Sequence, residues 1–293
     1  MLTITTGGGP GWSRLYHPAA AAESGPIGIP VPLPVDAPPA FDERRWSAMA
    51  GGDVVGAASA APNPGATFVR VFVDDGARRR GVGRALLQAV RESAAPGSVL
   101  RGVVVADGPG SAFADSLGAT VRARLVVMEL RLPALIPVPP MPDRYSFRAW
   151  SGRTPDELLD SYAAVKCHIA DAPDSAAQLD PEWTPERVRV AESTGRFVGA
   201  AIHNGVVVAF TEIDTAPGVI AASQEDTVVA PAHRGRRLGI AVKVALAATL
   251  HRARPDIVAV TSTINAENAP MLATCRAAGW TEIRRRHLVE LLT

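Results

Sequence analysis

The chain alternates short apolar runs with breaker-rich turns, and the period of the runs changes along it. Trp46–Ala50 and Val54–Ala60 flank Gly51-Gly52-Asp53, a pattern that predicts a β-hairpin. Phe68–Val73 is rich in branched and aromatic residues and reads as a strand. From Val82 the period lengthens: Val82, Leu86 and Val90 recur at i, i+4 and i+8 with Leu87 beside them, which predicts a helix. Val99–Ala106 is a continuous apolar run of strand length. Ser111–Leu117 reads as a short helix closed by Gly118, and Val121–Leu132 as a returning strand.

A second series follows. Tyr145–Trp150 predicts a strand, and Asp156–Asp171 a helix with Leu158, Leu159, Tyr162 and Val165 on its apolar side. Thr184 is placed to cap a helix over Pro185–Glu192, with Pro185 at its first position. Phe197–His203 and Val206–Ile213 flank Asn204-Gly205, the strongest short hairpin signal. Strand Glu225–Val229, a helix over 236–252, strand Ile257–Thr263, helix Asn268–Ala278 ended by Gly279, and strand Glu282–Leu291 complete the chain.

The remaining stretches show no such period. Residues 1–41 are rich in Gly, Pro and Ala; Gly7-Gly8-Gly9 has no evident strand before it or helix after it, and Pro30, Pro32 and Pro34 predict an extended segment. A flexible arm is expected over 1–41. Residues 133–143 hold a run of prolines and read as a semi-rigid linker, dividing a first domain at 42–132 from a second at 144–293. A length of 293 residues suits two domains. Hydrophobic residues at 47 % and charged residues at 20 % fit a chain that buries a core. A net charge of +1 gives no electrostatic case for nucleic acid or a membrane surface. No apolar stretch reaches the ~20 residues of a membrane span, and no signal peptide is apparent. Two cysteines make neither a disulfide framework nor a four-thiolate metal site, and a cytoplasmic location is expected.

One stretch occurs twice. Residues 71–90, VFVDDGARRRGVGRALLQAV, superpose on 227–246 with an offset of 156, and five of the 13 positions from Val73 to Ala85 are identical in the second copy. In both, an arginine (Arg78, Arg234) stands five positions after the strand's valine (Val73, Val229), and a helix follows. A strand feeding a Gly/Arg-rich turn at a helix start makes an anion site. The first turn carries N–H groups without helical partners, the helix dipole adds about half a positive charge, and the arginines add more.

Arg78-Arg79-Arg80-Gly81-Val82-Gly83 resembles the Arg/Gln-x-x-Gly-x-Gly/Ala pyrophosphate loop of the GNAT superfamily of acyl-CoA-dependent N-acyltransferases. Arg234-Gly235-Arg236-Arg237-Leu238-Gly239 is similar, with Arg237 in place of the first glycine. The layout resembles that of mycothiol synthases and other actinobacterial tandem GNAT proteins. The resemblance implies an α/β (α+β) protein of two GNAT domains in tandem. Each would have a mixed, mostly antiparallel central sheet flanked by helices, and the first would be N-terminally truncated. It implies acetyl-CoA as cofactor, bound through Phe72, Val73, Arg78, Arg79, Arg80, Gly81, Val82, Gly83 and Arg84 in the first domain. In the second the contacts are Val228, Val229, Arg234, Gly235, Arg236, Arg237, Leu238, Gly239, Ile240 and Asn268.

The family's direct transfer needs a base for the attacking amine and an acid for the departing thiolate. The resemblance points to a carboxylate four residues before the loop valine, which is Glu225 in the second copy and Val69 in the first. It points to an acid four residues before the glycine closing the last helix, which is Cys275 in the second copy and Ala114 in the first. Asp226, beside Glu225, is a further candidate, and Asp171, Asp174 and Glu182 are placed to meet a cationic acceptor. Transfer in the second domain follows, between parallel strands splayed at 225–229 and 257–263. The expected partner is a small-molecule amine, with neither nucleic acid nor membrane, in a monomer or homodimer. Two rivals remain: a non-catalytic acyl-CoA-binding regulator, and a protein N-acetyltransferase.

Overall fold

The structure is a computed structural model. It describes all residues except 25–41, 64, 96, 134–136, 138 and 173–181. In chain order the elements are β1 (Leu2–Thr6), α1 (Pro10–Ser24), β2 (Arg44–Ala50), β3 (Asp53–Asn63), β4 (Ala66–Val73), α2 (Val82–Ser93), β5 (Val99–Val105), α3 (Pro109–Asp115) and β6 (Thr120–Arg131). Then come β7 (Ser146–Ser151), α4 (Asp156–Lys166), α5 (Pro185–Ala191), β8 (Arg196–His203), β9 (Val206–Asp214), β10 (Ala221–Val229), α6 (Leu238–Ala253), β11 (Ala259–Asn265), α7 (Ala269–Ala277) and β12 (Thr281–Leu292). No helix among the described residues is long and apolar enough to cross a membrane.

The chain forms two compact units. Among the described residues the first comprises 1–24, 42–124 and Arg285–Thr293, and the second Leu125–Arg284. In unit 1, β1, β2, β3 and β4 pair antiparallel in that order; β4 pairs parallel with β5 only at Thr67–Phe68, and β5 pairs antiparallel with Arg286–Leu292. In unit 2, β7, β8, β9 and β10 pair antiparallel; β10 pairs parallel with β11, and β11 antiparallel with Leu125–Arg131. Both units therefore repeat one plan: four antiparallel strands, one parallel strand and an antiparallel closing strand.

The closing strands differ from the sequence-based division at 132/144. The end of β12 closes unit 1, and most of β6 belongs to unit 2. An alternating apolar pattern specifies a strand and its buried face, while its neighbour is chosen by long-range packing.

In unit 1 the apolar stripe of α2 (Val82, Leu86, Leu87, Val90) packs on Trp46, Ala48, Ala58 and Leu100. Against the other face lies α1, which corrects the expected flexible arm and the expected lack of opening helices. Gly7-Gly8-Gly9 sits between strand β1 and helix α1. The helix carries Pro18 and an alanine run, so its sequence shows little amphipathic pattern. What holds it is aromatic burial. Trp12 is fully buried, stacks on Tyr16 at 4.1 Å and donates Nε1–H to Ala58 O at 3.1 Å. Trp12, Tyr16, Ala57 and Phe72 form one cluster. The extended segment expected at Pro30, Pro32 and Pro34 lies outside the described residues, as do parts of the proline linker.

In unit 2, α6 buries Leu246, Leu250 and Val244 against Val126, Met128, Leu130, Ile213 and Val260. On the opposite face α4 buries Leu158, Tyr162 and Val165 against Val198, Phe210 and Val228. The helix expected over Asp156–Asp171 tightens to a 3₁₀ turn at Cys167–Asp171. Asn204 and Gly205 both take positive φ (50° and 81°), as a two-residue hairpin of this composition requires. Thr184 caps α5 by accepting from Arg187 N at 3.3 Å.

Trp12→Ala should destabilise unit 1 by about 3–5 kcal/mol through the cavity and the lost indole hydrogen bond. Chemical denaturation read by fluorescence measures this; an unchanged midpoint would make α1 a passive appendage.

Candidate active site and its counterpart in the first unit

In each unit a strand ends in valine, a single 3₁₀ turn follows (Asp75–Ala77, Pro231–His233), and a loop enters a helix. The repeated spacing has a structural cause. Arg78 Nε donates to Val73 O at 3.3 Å, and Arg234 Nε donates to Val229 O at 3.0 Å, so each arginine clamps its loop back onto its strand. Both loops place two residues in the left-handed region: Arg79 and Gly81 at φ 62° and 82°, Gly235 and Arg237 at φ 75° and 60°. The glycine is second in one loop and first in the other. A β-carbon built on Gly81 or Gly235 meets nothing within 4 Å, so the arginines have room. Arg237 thus keeps the loop conformation at a cost of about 1–2 kcal/mol in backbone strain. Ala85 N bonds Gly81 O at 3.0 Å and Ala241 N bonds Arg237 O at 3.1 Å. The N–H groups of residues 82–84 and 238–240 precede these bonds and point out of the helix ends.

Three of the loop arginines already have partners. Arg78 pairs with Asp75 at 2.6 Å, Arg84 donates to Ser116 O at 3.1 Å, and Arg234 pairs with Asp171 at 2.5 Å. Asp171 therefore faces the loop rather than standing free for an acceptor. The Arg234 guanidinium hydrogen bond holds its carboxyl below the usual carboxylate range. Asp174 lies outside the described residues, and Glu182 is exposed. Just before the loop His233 Nδ1 bonds Tyr145 Oη at 2.9 Å; burial, then His203 and Arg236, lowers its pKa. Asn268 caps α7, accepting from Met271 N at 3.1 Å.

The parallel pairing of β10 with β11 runs from Ala221–Gln224 against Ala259–Ser262 and stops there. β11 stays paired with β6 as far as Asn265. A gap opens between residues 225–229 and the end of β11. At the same point β10 changes register with β9: Gln224 faces Ile213, Thr227 faces Thr211, and Glu225 and Asp226 together oppose Glu212. Two residues opposing one make a β-bulge, which bends and twists the strand. In unit 1 β4 parts from β5 after Phe68, but its pairing with β3 runs without a shift from Asn63–Ala66 to Gly56–Val73.

A buried polar cluster backs the bulge. Glu212 is 1 % and Lys166 2 % exposed. Lys166 Nζ lies 2.8 Å from Glu212 Oε1 and 3.4 Å from Asp226 Oδ2, and Tyr162 donates its hydroxyl to Glu212 Oε1. Arg196 approaches Glu212 at 3.9 Å and pairs with Asp214 at 2.7 Å. Removing one member of a buried ion pair costs about 3–5 kcal/mol, because the other charge stays stranded. Burial, then Glu212, pushes the Tyr162 phenol well above its ordinary value. Burial also raises Asp226; Lys166 opposes the rise and Glu212 adds to it. Asp226 stands at the lip of the cluster with 38 % of its side chain exposed, so water limits the size of that shift. Glu225 is exposed beside it.

Cys275 lies elsewhere. It is completely buried in the core under α6, and its partner is Lys243, itself 1 % exposed. Burial pushes the thiol up and the amine down, and the contact between the two opposes both shifts. Lys243 Nζ also reaches Thr227 Oγ1 at 3.4 Å. The structure brings Glu225 and Asp226 to the gap and leaves Cys275 inside.

Sequence reasoning missed Lys166 and Glu212. One signal was available: Thr211-Glu212 interrupts the apolar run Val206–Ile213, and Glu212 needs a buried counter-charge. Lys166 directly follows the apolar face of α4 and gave no sign of its own.

Asp226 leads to a pH test. Its folded-state pKa is raised, so the folded protein holds this proton longer than the unfolded chain does. The associated stability is present below the ordinary value of about 4 and is lost as pH rises. Asp226→Asn lacks that loss. Its melting temperature relative to the parent should rise from about pH 4 to about pH 8; a constant difference would exclude the raised pKa.

Residues 42–116 match the family model for the acetyltransferase (GNAT) domain. No curated protein matches the sequence. Among solved structures, a tandem GNAT protein from the clavulanic acid biosynthesis pathway, determined without AcCoA, is 26 % identical. It aligns over 100 % of this chain and 98 % of its own with a TM-score of 0.74. A GCN5-related N-acetyltransferase from Sphaerobacter thermophilus is 17 % identical, with coverages of 99 % and 95 % and a TM-score of 0.74, and shares the fold. The chain carries a GNAT acetyltransferase domain at 42–116 and, over its whole length, the fold of a tandem GNAT protein.

Proposed function

We propose that unit 2 transfers an acyl group, acetyl in the first instance, from acyl-CoA to the primary amine of a small molecule by direct attack. The bulge at Glu225–Asp226 carries this reading: it sets carboxylates at a gap between parting parallel strands, close in sequence to an anion-binding loop. A thioester inserted in the gap would meet the amine there. The acceptor arrives as an ammonium ion, and a neighbouring carboxylate takes its proton. Val228 and Val229 would line the pantetheine path, and the N–H groups of Leu238, Gly239 and Ile240 with Arg234, Arg236 and Arg237 would hold the pyrophosphate. Cys275 has no route to the thiolate from the core, so water or the substrate's own N–H proton serves the leaving group.

Unit 1 has the loop and lacks the chemistry. Val69 and Arg70 occupy the strand where unit 2 has its bulge. In this reading unit 1 binds coenzyme A, or is structural, and does not react. The tandem GNAT protein of the clavulanic acid pathway, whose name refers to AcCoA, supports acetyl-CoA as the donor.

Calorimetry with acetyl-CoA on the parent, Arg78→Glu and Arg234→Glu tests the assignment, alongside coenzyme A release over an amine panel. Reversing one charge at a phosphate costs on the order of a hundredfold in affinity. Arg234→Glu should lose a binding site and turnover together, while Arg78→Glu keeps turnover. Loss of all binding in Arg78→Glu alone would move the cofactor to unit 1 and favour a regulatory protein.

A further inference from the structure

The two units put different side chains at equivalent points of one plan. In unit 1 Gly56 faces Val73, and Ser59 lies three residues along β3. In unit 2 Ala209 faces Val229, and Glu212 lies three residues along β9. Each position meets a tyrosine hydroxyl from the helix packed over the sheet: Tyr16 bonds Ser59 at 2.7 Å, and Tyr162 bonds Glu212. Four residues after the tyrosine, unit 1 has Ala20 and unit 2 has Lys166. Opposite Ser59 stands one residue, Arg70, whereas opposite Glu212 stands the bulge Glu225–Asp226. Unit 1 thus folds on this plan without a buried ammonium. A buried ion pair contributes little over apolar packing of the same volume. Stability therefore does not account for the choice of a Lys166–Glu212 pair over apolar packing at this point, although each charge needs the other once both are present.

The ammonium of Lys166 is held on every side. Lys166 Nζ donates to Glu212 Oε1 and Asp226 Oδ2 at 2.8 and 3.4 Å. The rings of Trp183, Phe210 and Tyr162 surround it, with centroids at 4.4, 5.0 and 5.5 Å. Such a cage fixes a cation by its ring faces. A fixed cation in turn fixes the carboxylate it touches at the lip of the cluster.

We propose that Lys166 is a positioning residue for acyl transfer in unit 2: it aims Asp226 at the gap between β10 and β11 and keeps its carboxylate ready to take the proton of the attacking ammonium. This rests on the proposed function. Asp226 removes one proton from the acceptor, and the freed amine nitrogen attacks the thioester carbonyl. The C–N bond forms, the C–S bond breaks, the second N–H proton passes to the leaving thiolate, and Asp226 returns its proton to water. The charged and titratable groups around Asp226 come from each packed element. They are Lys166 and Tyr162 of α4, Glu212 of β9, neighbouring Glu225, His168 and Asp171 of the 3₁₀ turn (Asp171 held by Arg234), and Lys243 of α6 on the far side of Thr227. Among these Lys166 is the cation in direct contact.

The test uses the full chain labelled with ¹³C at aspartate carboxyls, in which the Asp226 signal is the one absent from Asp226→Asn. In Lys166→Met that signal should titrate at higher pH than in the parent, and in Lys166→Arg close to the parent. Lys166→Gln, which keeps a donor to Glu212, replaces Lys166→Met if the latter does not fold. An unchanged titration in a folded, uncharged variant overturns the inference. With acetyl-CoA and an amine that supports turnover, the acid limb of the kcat profile should move in the same direction. Each unit of movement costs about tenfold in rate below the limb, KM for acetyl-CoA stays constant, and Lys166→Arg restores the profile. A moved NMR titration with an unmoved kinetic limb also overturns the inference, since Asp226 is then not the base. If the parent releases no coenzyme A with any amine, acyl transfer in unit 2 falls, while the NMR titration still decides whether Lys166 governs Asp226.

Discussion

The geometry of unit 2 turns on one misfit: two residues of β10 stand opposite one buried carboxylate of β9. An inserted residue leaves part of the ladder unpaired and bends the strand. β10 holds β11 for only four residues, to Gln224 and Ser262, and then leaves it. The register shift at Glu225 and Asp226 falls where that gap begins. Glu212 cannot sit buried there without a counter-charge, and Lys166 from α4 supplies one. A single irregularity in a strand thereby locks a helix to a sheet and sets the chemistry at their junction.

The two units separate what the fold needs from what the site needs. Both keep the valine–arginine clamp, the pair of left-handed residues and the helix start. They solve the left-handed requirement with glycine at opposite positions, and both solutions reach the same backbone shape. Among the described residues, only unit 2 has a bulge in its fourth strand and a buried ammonium. The match to the acetyltransferase family model falls on unit 1, where the glycine pattern of the loop is intact, and the densest reactive cluster falls on unit 2. A sequence pattern built on loop glycines registers the anion site; carboxylates scattered over α4, β9 and β10 share no short motif.

Much of the architecture was legible from local rules. Asn204-Gly205 set a hairpin because its turn needs positive φ twice. Thr184 and Asn268 marked helix starts because their side chains replace missing backbone acceptors. The repeat at 156 residues revealed two related units and both loops. Other features had no local signature. α1 is held by Trp12 and Tyr16 against Phe72, more than fifty residues away in the chain, and its alanines and proline hide the helical period. Cys275 matched a motif position, yet its thiol packs inward against Lys243.

The sequence by itself determined where the strands, turns and helices after residue 42 lie, that the plan occurs twice, and that each copy presents a cationic loop. Those properties depend on periodicity and on dihedral requirements confined to a few neighbouring residues. The tertiary structure decided which strand closes each unit, that Lys166 and Glu212 meet in the interior with Asp226 beside them, and that Cys275 is buried in the core. Those outcomes depend on which distant residues share a low-dielectric space. There an unpaired charge is costly enough to select its partner, and chain separation plays no part.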